Sequence, residues 1–194
     1  MRRSYIYMAA AGALTALLSG CADENPDWNY SIPQRICGIE TGESTVKPLL
    51  PKGDSLEEKI RAAVGEEQDA SERCLLYVDR EQHGNGRNLS IYKDREIEKI
   101  DAHQEAEHLL KFTNIQRVEL GEHVTSAAIG DEGALVVMAC TPKTSKGEPY
   151  KYLVTQVRFG KDADKPENLP VRHQQLKEFL RAYIPATFVD RCRN

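Results

Sequence analysis

The chain lacks most of the local signatures of an enzyme or a nucleic-acid binder. No Gly-x-Ser-x-Gly elbow, Walker loop or Gly-x-Gly-x-x-Gly run occurs in its 194 residues, so no nucleophile elbow or phosphate cradle is announced. No Cys-x-x-Cys pair is present, which removes the usual scaffold of a structural zinc. Basic residues do not dominate: 26 Lys and Arg face 30 Asp and Glu, a net charge of −4. A nucleic-acid binder would want a basic stripe instead. The greasy stretch at residues 5–18 falls short of the roughly 18–20 residues that cross a bilayer. Tryptophan occurs once, at Trp28.

What is there begins at the N-terminus. Arg2 and Arg3 form a basic start, residues 5–18 an alanine-rich apolar segment, and Leu18-Ser19-Gly20 a small-residue cleavage site before Cys21. That order is the anatomy of a secretory signal peptide. Leu18-Ser19-Gly20-Cys21 resembles the lipobox of bacterial lipoproteins. The resemblance implies a leader over 1–20, diacylglycerol on the Cys21 thiol, and Cys21 as the first residue of the mature chain. Two acyl chains are what stable anchoring takes. The expected location is the outer face of a bacterial cytoplasmic membrane. Loss of Arg2 and Arg3 would take the net charge from −4 to −6. The domain is therefore not drawn onto an anionic surface by its overall charge.

Export also assigns the other four cysteines, Cys37, Cys74, Cys140 and Cys192. An even set in an oxidising compartment reads as a disulfide framework. Three pairings are open; the favoured one is Cys37–Cys74 with Cys140–Cys192, one staple for each half. Each contributes about 3–4 kcal/mol by loop entropy.

Residues 21–35 contain "ADENPDWNYSIPQR", polar and without periodicity, and read as a tether. Within it, Trp28 and Tyr30 are expected to pack on the domain. Residues 36–194 read as a single domain. Ser55 and Glu58 fit a capping box, with Leu56, Ile60, Ala63 and Val64 on one face of a helix. "CLLYVDR" and "NLSIY" read as a strand pair about the turn "EQHGNGR". A second helix, capped by Asp101, is expected over 101–112. Then come "IQRVEL", "VTSAAI", "ALVVMAC" and "YKYLVTQVRF" as strands, with "TPKTSKGEP" joining the last two. "GKDADKPENLP" reads as a loop. Leu176, Phe179, Leu180, Tyr183 and Ile184 fall at i, i+3, i+4, i+7 and i+8 of a final helix, which Pro185 should end or kink. The fold class expected is α+β: an antiparallel sheet flanked by helices in a layered α/β/α sandwich.

The lipobox, the spacer, Ile36-Cys37-Gly38-Ile39, Cys74 opening a hairpin, and "AAIGDEGALVV" together resemble a family of actinobacterial lipoproteins whose domain begins with a Cys-Gly-Leu motif. The resemblance covers about residues 36–190 and implies a PsbP-like fold. It brings no activity with it. Ile39 stands where that family has leucine, and Pro185 and Cys192 lie outside its pattern.

Candidate chemistry is sparse. His103 and His108 are five apart in "HQEAEH", roughly 140° around a helix, which separates them as metal ligands. His83 falls in a turn; His123 and His173 belong to no motif. Asp162, Asp164 and Glu167 lack the central glycine and terminal glutamate of a calcium loop. Glu105 with Glu107, and Asp131 with Glu132, are neighbours that an acidic composition supplies by itself. A Ser–His–Asp triad can assemble from distant positions, so sequence leaves it open. The residues imply no metal and no cofactor. The reading is a membrane-anchored binding or accessory module for a protein or small ligand, with no nucleic acid; the alternative is a cell-envelope hydrolase.

Overall fold

The Ile36-Cys37-Gly38-Ile39 motif turns out to be a minimal hairpin. Strand β1 (Arg35–Ile36) pairs antiparallel with β2 (Ile39–Glu40). The two residues between them, Cys37 and Gly38, have φ of 55° and 76°. Two-residue hairpin loops of type I′ want positive φ at both central positions, which glycine meets freely. Cys37 holds that conformation while bonded to Cys74, with 5.5 Å between their Cα atoms.

The computed structural model describes residues 28–62, 71–80, 88–141, 150–160 and 168–192. The leader, Cys21, the three turn and loop segments "EQHGNGR", "TPKTSKGEP" and "GKDADKPENLP", and Ala63 and Val64 lie wholly or largely outside them. After β2 come a short helix α1 (Glu43–Val46), a 3-10 turn (Lys47–Leu49), and the strands β3 (Leu56–Ala62), β4 (Ser71–Val78) and β5 (Leu89–Glu96). Helix α2 (Ala102–His108) leads to β6 (Gln116–Arg117), β7 (Val124–Gly130), β8 (Gly133–Ala139), β9 (Tyr152–Phe159) and the long helix α3 (Leu169–Arg191). Strands β3 to β9 make one seven-stranded antiparallel sheet in the order β3-β4-β5-β9-β8-β7-β6. The class is α+β.

The helix expected after Gly53 is instead β3, paired with β4 from Leu56↔Val78 to Ala62↔Glu72. Leu56 and Ile60 lie four apart, a spacing that a strand's period of two satisfies as well as a helix's 3.6. The capping groups are also taken. Asp54 N, Ser55 N and Ser55 Oγ donate to the Asp79 carboxylate, and Glu58 accepts from Cys37 N. Tertiary pairing overrides local helix signals here.

Alternation along the central strands builds two cores. Ala134, Val136 and Met138 of β8 face one side with Leu153, Val157 and Cys74, under Leu176, Phe179, Leu180, Tyr183 and Ile184 of α3. Leu135 and Val137 face the other side with Ala128 and Val154, against Ala102 and Ala106 of α2. Each large side chain so buried contributes about 1.5–3 kcal/mol. Pro185 does not end α3, which runs on to Arg191. Pro185 and Arg181 both lie on the exposed face, where water can satisfy the carbonyl that a proline leaves unbonded. Cys140 and Cys192, 4.8 Å apart at Cα, then join the end of β8 to the end of the helix.

The tether packs on the domain from Trp28 onward. Trp28 bridges to Gly53, and its indole Nε1 donates to Leu50 O at 3.4 Å. Lys47 Nζ and Lys52 Nζ each lie 5.3 Å from the indole centroid. Tyr30 donates its hydroxyl to Pro51 O, and Ile32 is buried.

Candidate functional site

The β7–β8 hairpin positions the most chemically suggestive group in the chain. Gly130 and Gly133 face each other across the two-residue turn Asp131-Glu132. Gly133 has φ +152°, and a Cβ there would lie 1.9 Å from Val157 O, so the turn is pressed against β9. This places both carboxylates over the 113–114 loop. Thr113 N donates to Glu132 Oε2 (2.8 Å), Thr113 Oγ1 to Glu132 Oε1 (2.9 Å), and Asn114 Nδ2 to Asp131 Oδ2 (2.7 Å). From the first turns of α3, His173 Nε2 donates to Asp131 Oδ1 at 2.9 Å. Side-chain exposure is only 12% for His173 and 16% for Asp131, so the pair is shielded where charge-assisted bonds are strong.

The pair opens on a cleft of about 510 Å3 whose walls include Asn114, Gln116, Arg117, Leu169, Gln174 and Lys177. A second cleft of about 460 Å3, with Asp101, Thr125 and Ser126, shares Arg117 and Val118 with it. The short strand β6, at the edge of the sheet, therefore runs between two hollows.

Asp101 organises the second hollow. As the cap of α2 it accepts from His103 N (2.9 Å) and Gln104 N (3.1 Å), and Arg117 donates to its other oxygen at 3.1 Å. The Gln104 backbone bond, then Arg117, hold its carboxyl below the usual range.

A base and an orienting acid are thus present, but no free nucleophile stands beside them among the described residues. The described residues lining the His173 cleft include no Ser, Thr or Cys. Thr113, next to it, spends its hydroxyl proton on the two carboxylates. In the second hollow Ser126 Oγ accepts from Ala102 N, and Thr125 Oγ1 donates to Val137 O. Two Ser-x-x-Lys spacings exist in the chain, Ser44 to Lys47 and Ser90 to Lys93. Neither makes a serine-lysine site. Lys47 lies over Trp28 and pairs with Glu43, and Ser90 and Lys93, three apart on β5, face opposite sides of the sheet.

The remaining sequence candidates are dispersed. His103 sits 4.0 Å from Glu107 on α2, where Glu105 also lies, and His108 is exposed at its end. His123 stacks on Phe188 with centroids 3.7 Å apart, a packing role. His83, Asp162, Asp164 and Glu167 lie outside the described residues. Cys37, Glu58 and Cys74 place ligand atoms within 4.8 Å of one another. Their two sulfurs are bonded to each other, so neither is a thiolate able to bind metal.

A second buried ionic group lies away from the cleft, on β4 and β5. Lys93, 4% exposed, donates to Glu72 Oε1 (2.8 Å) and Cys37 O (3.1 Å), and Arg191 donates to Glu72 Oε2 at 2.6 Å. Burial, opposed by Glu72, pulls the Lys93 ammonium below its ordinary range. This group ties α3, β4, β5 and the Cys37 turn together.

No family profile, no curated protein and no solved structure matches the chain.

Proposed function

We propose that this protein is a bacterial lipoprotein, anchored by diacylglycerol on Cys21 to the outer face of the cytoplasmic membrane. It presents a non-catalytic cleft at His173 and Asp131 to a protein or small ligand. The observation that carries the anchor is Leu18-Ser19-Gly20-Cys21 following a basic start and a short apolar run. Two cysteine pairs at bonding distance suit an oxidising compartment. None of the helices among the described residues is long and apolar enough to cross a membrane. The resemblance to actinobacterial lipoproteins with a PsbP-like domain belongs to the same proposal.

The test of the anchor is fractionation of cells labelled with a radioactive fatty acid. Label and protein are expected together in the membrane fraction, and Cys21→Ala should lose the label and leave the membrane. A Cys21→Ala protein that stays membrane-bound and labelled contradicts the proposal.

The second reading, an envelope hydrolase, is favoured by the His173–Asp131 bond inside a cleft. A fluorophosphonate probe separates the two. The binding reading expects no covalent labelling; labelling abolished by His173→Ala would establish the hydrolase instead.

A further inference from the structure

The tether is short, and its attachment point is built for an interface. Six residues separate Cys21 from Trp28, so Trp28 lies within about 25 Å of the acylated sulfur even at full extension. Trp28 is half-buried, its indole packed beside Leu50 O with Lys47 and Lys52 near its ring. Tyr30 stands next to it, bonded to Pro51 O. An indole with a tyrosine and two lysines around it is the chemistry of the headgroup layer, where amphipathic rings sit among cations; Lys47 also pairs with Glu43 at 3.6 Å.

Trp28 bridges to Gly53, just before β3, the outermost strand on one edge. The register puts Gly53 beyond the same end of the strands as the Asp131 turn, and five strand spacings, about 24 Å, separate β3 from β7 across the sheet.

We infer that the Trp28–Lys47–Lys52 edge of the domain docks onto the phospholipid headgroups. The inference rests on the anchor proposed above. The diacylglycerol supplies the attachment against the domain's net negative charge, and this edge sets only the orientation.

Trp28 is the chain's single tryptophan and reports on itself. The acylated full-length protein is incorporated into vesicles of phosphatidylcholine and phosphatidylglycerol carrying bromines near the top of the acyl chains. Flotation is measured on the same sample. Expected are co-flotation, loss of Trp28 emission relative to unbrominated vesicles, and weaker quenching in Lys47→Glu/Lys52→Glu. Protein that floats with its emission unquenched overturns the docked edge and leaves the anchor standing. Protein that does not float overturns the anchor and the docked edge with it.

Discussion

Single carboxylates hold this molecule at three places where backbone or cation would otherwise be stranded. Asp79 accepts from Asp54 N and Ser55 N at the start of β3; Asp79→Ala leaves both without that partner and should cost about 1–3 kcal/mol in urea unfolding. Asp101 caps α2, and Asp101→Ala should cost about 1 kcal/mol. Its folded carboxyl titrates below the unfolded one. The stability it adds is therefore present above the usual carboxylate range and lost as pH falls through the folded value. Glu72 carries the largest expected effect. Glu72→Ala leaves Lys93 buried without its counter-charge, a loss of about 3–5 kcal/mol. Lys93 already titrates low, so the unfolded chain binds more protons between its folded value and 10.5 and stability rises with pH there. Urea unfolding of Glu72→Ala should accordingly show a deficit that narrows from pH 7 toward pH 10. The Asp101 cap is legible beside its helix, whereas the Glu72 role is not, because Glu72 and Arg191 are 119 residues apart and Glu72 stands in no motif.

At the scale of elements, legibility followed periodicity. The last helix was readable because five apolar residues repeat at helical spacing, and all five are buried. The strands from "CLLYVDR" onward were readable from β-branched runs between turn residues. β3 was not, since Leu56 and Ile60 fit both periods and Ser55-x-x-Glu58 imitates a cap. Only β4, which supplies its partner, decides between them. Pro185 likewise misleads when taken alone. Packing on both sides of it, and Cys192 at the end, keep α3 on the sheet. Removing that last constraint with Cys140→Ser/Cys192→Ser should lower stability by about 4 kcal/mol on the loop-entropy estimate for a separation of 52 residues, with fraying of the final turns seen by amide exchange. Gly133→Ala should cost about 1–3 kcal/mol, through its φ and its closeness to Val157 O.

For the whole molecule, the proposed attachment and the cleft stand differently to the sequence. Export and lipidation signals are read by enzymes that see a local segment, so the signal proposed for residues 1–21 can be read without any fold. The cleft is the opposite case. His173 and Asp131 are 42 residues apart, and neither belongs to a pattern. Sheet topology and the Gly130–Gly133 turn bring them together. An anchored domain with a shielded His–Asp cleft, and no nucleophile among its described lining residues, is the account that joins the two. Its central claim is the anchor, and intact mass spectrometry of the protein extracted from membranes tests it most directly. The account predicts a mature chain that begins at Cys21 and carries a diacylglyceryl thioether on that residue. A mature chain with an unmodified Cys21, or one that begins at a different residue, would contradict it.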